Sequence, residues 1–519
     1  MPRKITRHLR LLALLTAALV NTAMAKNVKL TEPPLAYVVL GERAHALRGE
    51  TVPLLRLILA TPQDDACQRL QLSRPNGTPL DRPLARTNPD VKRFPITVCE
   101  TVLPFADSYR ASGETWTAKL DGKTYPLRLP TVVRNPEKFL IVGDMGCRDN
   151  KKQGCHDTEW PFHTTLPRDM AKLIATDNKA TVLVIVGDFK YRLEKKGDTA
   201  DKEWRNWQAD FFTPMSGGKA SKYKLWQTRQ SAEYNLLPMA PWVVTRGNHE
   251  LCNQFSKGGP GWFYLLEPSS PLLGDADAVL AAASCPSNPS AAESIGLPYR
   301  LDFSHGFSLL QTDSAAIAES KTANPDQAQV VAQTLSRADL GFRQEANPPR
   351  LAWWVTHKPV WAAVGSKQPK LSNATQQAAL AQLPEGTPPA NVKLIVSGHK
   401  HFYQSVEPGA ATRQPLQLVV GNGGVLINPQ AYNGPLEAIP AEVSSASHYG
   451  FVEGRLEVEN QWVTGWTLNV YAYPNRTDWG GAAGPQLIQT CRYPASGNAC
   501  AIVKPAYFTA QPGEDNDPD

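Results

Sequence analysis

The sequence predicts a layered α/β domain preceded by a small all-β domain. Two patterns lead there. Between residues 28 and 129, short apolar or alternating runs follow one another between turn signals, with little helical periodicity. From residue 137 onward, apolar runs alternate with longer segments that can form helices. A third observation adds function to the frame: several of those later runs end beside a side chain able to bind a metal ion.

The chain begins with what reads as a leader. Arg3, Lys4, Arg7 and Arg10 give a basic start, Leu11 to Val20 an almost wholly apolar stretch, and Ala23-Met24-Ala25 a cleavage pattern, the three parts of a secretory signal peptide over residues 1–25. That stretch is too short to cross a hydrocarbon core of about 30 Å as a helix, and no other like it follows. The mature chain is therefore expected to be secreted or periplasmic after cleavage near Ala25, without a stable membrane anchor. Four of the 54 Lys and Arg lie in the leader and none of the 48 acidic residues does. Without it the formal charge is only about +2, which gives no footprint for nucleic acid. Sequons at Asn76, Asn373 and Asn475 would matter only in a eukaryotic secretory route.

Eight cysteines in an exported chain favour disulfides, and pairing of neighbours in sequence keeps each bridge within one segment. Those pairs are Cys67 with Cys99, Cys147 with Cys155, Cys252 with Cys285, and Cys491 with Cys500. No C-x-x-C pair exists, which argues against a cysteine-built zinc site.

Residues 27–136 form the expected β-sandwich-like domain. Its strands are read from Leu35 to Leu40, Val52 to Leu59, Phe94 to Val98 and Thr115 to Leu120, with turns at Pro75-Asn76-Gly77 and Asp121-Gly122 and a linker from Pro130 to Pro136. Residues 137–475 form the α/β domain. Phe139 to Val142, Val182 to Val186, Trp242 to Thr245, Phe307 to Gln311, Ala352 to Thr356 and Val392 to Val396 each read as a buried strand. Long insertions carrying Trp204, Trp207, Trp226 and Trp262 separate the second, third and fourth of them, and loops of that length usually carry function or cover a site. Residues 476–519 are expected to be an extension whose acidic end, from Glu514 to Asp519, is disordered.

The chemistry sits at the strand ends. In order come Gly143-Asp144-Met145-Gly146, Gly187-Asp188-Phe189-Lys190-Tyr191, Gly247-Asn248-His249-Glu250, His357 after Trp354-Val355-Thr356, and Gly398-His399-Lys400-His401. Strand C-termini are where ligands gather in α/β folds, and glycine lets the backbone turn there. A single Gly-Asp says little, since Gly197-Asp198 and Gly274-Asp275 occur as well. The histidine motifs say more. A chance G-H-x-H is expected on the order of 0.01 times in a chain of this composition. Carboxylate, amide, phenol and imidazole donors together suit iron, manganese or zinc better than soft copper.

These blocks resemble the calcineurin-like metallophosphoesterases, and within them the purple acid phosphatases, whose pattern runs GDxG, GDxxY, GNH[ED], VxxH, GHxH. The resemblance spans residues 141 to 401. Four blocks fit fully; the fourth carries Trp354 where the family has valine, with its histidine present. Many relatives carry D-x-H in the first block, whereas this chain has Gly146 there and supplies Tyr191 in the second. The resemblance implies an αββα sandwich behind the small β domain and hydrolysis of phosphate monoesters by a metal-activated hydroxide at a dinuclear centre. It implies that Asp144, Tyr191 and His401 bind a ferric ion, that Asn248, His357 and His399 bind a divalent ion (iron, zinc or manganese), and that Asp188 bridges the two. His249, beside Asn248, is the candidate proton donor to the leaving alcohol, its other possible role being to orient ligands.

Lys190, Arg192, Arg246 and Lys400 lie within the motifs and could reach phosphate oxygens, although solvated positions are the default. Arg148, His156 and His163 fall between the first two motifs, where loop solvation is expected, and Asp313 reads as structural. A phosphodiesterase or nucleotide hydrolase could use the same centre, because loops choose the ester. A non-catalytic exported binding protein is the alternative of a different class; it is disfavoured because every expected ligand is present. The sequence does not indicate an oligomeric state.

Overall fold

The computed structural model describes residues 34–508, except 44–46, 64, 149–152, 156–159, 195–197, 218–234, 253–257, 275–295, 345–348, 366–369, 410, 429–431, 437–438, 475–483 and 495–498. The leader, the acidic tail, His156, Trp226, Cys285 and Asn475 lie outside the described residues.

Two large sheets face each other. At the centre of the eight-stranded sheet, strands Phe307–Gln311, Leu351–Val355, Val392–Ser397 and Leu416–Val420 run parallel. At the centre of the eleven-stranded sheet, Lys138–Val142, Thr181–Ile185, Trp242–Val244 and Leu35–Glu42 do the same. All six apolar runs read as buried strands are strands, with ends within one residue of those expected. Their composition follows from being covered on both faces. Phe139, Ile141, Val184, Leu309, Trp353, Val355 and Leu394 fill the space between the sheets. The alternate positions face outward: Leu140, Val142 and Ile185 pack with Leu166, Met170 and Ile174 of helix Thr165–Asp177, and Leu310, Trp354 and Ile395 with Val331 and Leu335 of helix Pro325–Gln344. The layers thus run helix, sheet, sheet, helix.

The N-terminal segment is strand-rich as expected, but it does not stand apart. Strand Leu35–Glu42 is hydrogen-bonded in parallel to Trp242–Val244, with Val39 opposite Trp242. Thr51–Leu59, Thr97–Val102 and Leu84–Ala85 follow it outward, so these strands are one wing of the eleven-stranded sheet. Only Gln71–Ser73, Glu114–Leu120 and Lys123–Leu129 make a separate small sheet. The physical reason lies in residues 35–42. Every side chain there is buried, whereas a strand with one solvated face would alternate apolar and polar residues. Arg56 and Arg86 fasten the wing further. Both are buried around Glu100 and donate to carbonyls of the segment Phe263 to Ser269.

The far edge also differs from expectation. Within the expected extension, Gln486–Tyr493 and Cys500–Ile502 continue the same sheet beyond Trp462–Ala472 and Gly450–Glu459, the last of which pairs with Lys138–Val142. Disulfides join Cys67 to Cys99, Cys147 to Cys155 and Cys491 to Cys500, each a pairing of sequence neighbours. Cys252 is also bonded. Among the described residues, no helix is long and apolar enough to cross a membrane.

Candidate metal centre

Because the central strands of each sheet run parallel, the loops after them emerge on one edge. Asp144 follows Lys138–Val142, Asp188 follows Thr181–Ile185 and Asn248 follows Trp242–Val244, all from the eleven-stranded sheet. From the eight-stranded sheet, His357 follows Leu351–Val355, and His399 and His401 follow Val392–Ser397. The turns are sharp. Asp144, Asp188 and His399 all adopt left-handed backbone conformations, with φ of 54°, 53° and 71°, a region uncommon for side-chain-bearing residues and often found where function holds it in place. Gly187, at φ 98°, and Gly247 sit where a Cβ would come within 2.4 Å of His357 Nδ1 and 2.0 Å of Asp188 Oδ1. Any larger residue would push those side chains out of position.

The buried side chains converge as two groups that share one carboxylate: Asp144, Asp188 and His401 in one, and Asp188, His357 and His399 in the other. In the first, Tyr191 Oη lies 3.0 Å from Asp144 Oδ1, 2.8 Å from Asp188 Oδ2 and 3.0 Å from His401 Nε2. In the second, Asn248 Oδ1 lies 3.0 Å from His357 Nε2 and 2.8 Å from His399 Nδ1, and Asp188 Oδ1 is 3.4 Å from His357 Nε2.

Hydrogen-bond chemistry tests whether these donors suit a cation. A phenol has one proton, which cannot satisfy both carboxylates beside Tyr191, those of Asp144 and Asp188. In the second group, His357 Nδ1 lies 2.7 Å from the Val186 carbonyl, which can only accept, so this nitrogen carries the proton. His399 Nε2 is likewise turned to Glu319 Oε2 at 2.7 Å. Despite its burial, the Asp188 carboxylate raises His357 to about 9, so without a cation its Nε2 holds a second proton that a metal ion would replace; in the neutral His399 ring, Nδ1 faces Asn248 Oδ1 with its lone pair. A metal ion is the species that such an arrangement accommodates, and each imidazole is oriented by the bond its other nitrogen makes. Charge argues the same way. Burial and the neighbouring Asp188 push the Asp144 carboxyl well above the usual carboxylate range, an unfavourable state for two facing acids that cations would relieve. Burial lowers the His399 imidazole to about 4, which keeps it neutral and able to coordinate.

Around the ligands, carboxylates hold the loops. Glu250 accepts from the amides of Gly247, Asp188, Phe189 and Lys190 at 3.0 to 3.2 Å, clasping the second motif to the third. Asp210 accepts from the amides of Tyr191 and Arg192. His249 is half-buried; its ring lies 4.0 Å from that of Tyr191, centroid to centroid, and its amide donates to Asp188 Oδ1 at 2.9 Å.

The motif cations are not solvated. Lys190 pairs with Glu203 at 2.6 Å and Arg246 with Asp313 at 2.6 Å, all four buried. Arg192 pairs with Asp210 and Lys400 with Glu319. These partners brace the loops, as read for Asp313. Arg148 lies with its guanidinium carbon 5.9 Å from the centre of the Tyr191 ring, so the first loop brings it against the site, while His163 rests on Trp160. Trp354 buries its indole on the helix side and donates to Thr312, which leaves the path of His357 intact. Sequence reasoning gave no role to Glu203, Asp210, Glu250 or Glu319. The one available signal was composition: Asp210 is a lone acid beside Phe211 and Phe212, a pattern that points to a buried partner.

The chain matches the model of the calcineurin-like phosphoesterase family over residues 137–403. It belongs to that family. No curated protein matches it. The matched span of this calcineurin-like phosphoesterase starts at the strand bearing Asp144 and ends just past His401, so every side chain of the two groups falls inside it. Membership implies metal-dependent hydrolysis of phosphate esters and binding of metal ions.

Proposed function

We propose that this phosphoesterase is an exported phosphate monoesterase of the purple acid phosphatase type, with two metal ions bound at one site. In this reading Asp144, Tyr191 and His401 would hold a ferric ion, Asn248, His357 and His399 would hold a divalent ion, and Asp188 would be shared by the two. The observation that carries the reading is the position of Tyr191 Oη, about 3 Å from Asp144, Asp188 and His401 at once. When bound, such ions supply Lewis acidity and lower the pKa of water toward neutrality or below.

The chain's own groups do the rest. Anionic oxygens from Asp144 and Tyr191 match a trivalent charge, while the neutral imidazoles and amide oxygen match a divalent one. His249 is half-buried with its ring against Tyr191, and in this reading it delivers a proton to the departing alcohol. Disulfides support the exported setting.

The test is a spectrum and a substrate screen on metal-analysed protein. A phenolate on ferric iron gives a visible charge-transfer band, so the oxidised, iron-replete enzyme should be violet to pink and should favour monoesters over diesters and nucleoside triphosphates. A colourless iron-replete protein would reject the tyrosinate assignment, and preference for diesters or for the phosphoanhydride bonds of nucleoside triphosphates would reject the monoester reading alone.

A further inference from the structure

We propose that Glu319, paired with Lys400, is a positioning residue that sets the affinity of the His399 side of the site for its metal ion. The inference rests on the two-ion reading above and concerns a residue outside every motif.

The strand Phe307–Gln311 delivers a loop that reaches the edge where His399 emerges. Glu319 Oε2 lies 2.7 Å from His399 Nε2 and 3.0 Å from Lys400 Nζ. His399 and Lys400 are adjacent in sequence, so one carboxylate oxygen grips two consecutive residues of the G-H-K-H turn. Its contact with the imidazole does two things. It assigns the proton to Nε2 and leaves the Nδ1 lone pair facing Asn248 Oδ1, 2.8 Å away. It also fixes the ring plane at a residue whose backbone is held in the left-handed region, at φ 71°. Lys400 balances the carboxylate's charge, so the group accepts a hydrogen bond from the ring without adding a net negative charge beside it. The other group is held differently: Tyr191 is set by its amide on Asp210, whereas the bonds of Glu319 go to His399 and Lys400. Loss of Glu319 should therefore be felt on one side only.

The experiment is a chelator titration of the full-length, metal-loaded protein, comparing wild type with Glu319→Ala and Glu319→Gln and quantifying both ions. In Glu319→Ala the ion on the His399 side should bind roughly 10- to 100-fold more weakly, as for other groups that orient metal-bound histidines. The first ion should stay at full stoichiometry. Glu319→Gln, which keeps an oxygen for His399 Nε2 but no charge, should fall between wild type and Glu319→Ala. Retention of the first ion is the folding control, because a variant that simply misfolded would lose both. Equal affinity for the second ion in all three proteins, or parallel loss of both ions from folded variants, would overturn the proposal. Wild-type protein that never holds a second ion would remove the two-ion reading itself and the proposal with it.

Discussion

The two groups that meet at Asp188 are built from different chemistry, and each draws on both sheets in unequal share. On one side Asp144 and Tyr191 come from the eleven-stranded sheet and bring oxygens that can be anionic, with His401 reaching across from the other sheet. On the other side the donors are two imidazoles from the eight-stranded sheet and an amide oxygen, all neutral when coordinating. Their supports differ as well. The oxygen-rich side is held through main-chain amides by Asp210, the imidazole side is held ring by ring through Val186 and Glu319, and Glu250 ties the two by accepting from amides of both motifs. One site thus offers two unequal charges. The lesson is that the two groups differ in the chemistry of their donors, oxygen-rich on one side and imidazole-rich on the other, with Asp188 as the common member.

Replacing that common member tests the comparison most severely. Asp188→Ala should lose both ions and nearly all turnover, because each ion is worth several kcal/mol to the transition state and every 1.36 kcal/mol is tenfold, a combined loss above about 10⁴-fold. A variant with both ions and full activity would break the idea of a shared carboxylate. Next in size, His249→Ala should keep both ions yet slow turnover by about 10² to 10⁴-fold, most for esters with poor leaving alcohols. Equal losses for good and poor leaving groups would make this residue an orienter. Tyr191→Phe keeps the ring against which His249 rests and removes only the phenol oxygen. The visible band should vanish while the imidazole side retains its ion; a persisting band would mean that some other group colours the protein. The smallest effect on chemistry is expected from the double variant Cys147→Ser with Cys155→Ser. That bridge closes the loop leaving the Asp144 strand, so its loss should cost about 2 to 3 kcal/mol in denaturant unfolding by loop entropy. Metal content should change little, and marked loss of iron would show that the bridge fixes the ligand directly.

Much of the site was legible because ligand, glycine and apolar strand are neighbours in sequence, as in the run from Phe139 to Asp144. Its bracing was not. Lys190, Arg192 and Arg246 looked like surface cations because their partners Glu203, Asp210 and Asp313 stand far along the chain, beyond any local pattern. Asn373 illustrates the same limit: its sequon is visible in sequence, but only the fold shows that the side chain is buried and caps helix Ala374–Ala381 by accepting from the Gln376 amide. The fold followed the same rule. Strand positions in the α/β part came from periodicity and were recovered closely, whereas the strand read from Phe94 to Val98 lies at Thr97–Val102; the boundary drawn at residue 136 tracked a change of texture along the chain, and texture does not reveal which strands share hydrogen bonds.

That shared sheet has a consequence for how the molecule is made. Val39 finds its parallel partner at Trp242, about 200 residues later, so the first wing stays incomplete until half the chain has emerged, and pairing at such separation is slow. Until then the apolar strand Leu35–Glu42 offers an open edge to any other chain. Cutting at the apparent boundary would make that transient hazard permanent, leaving an unpaired edge on each fragment.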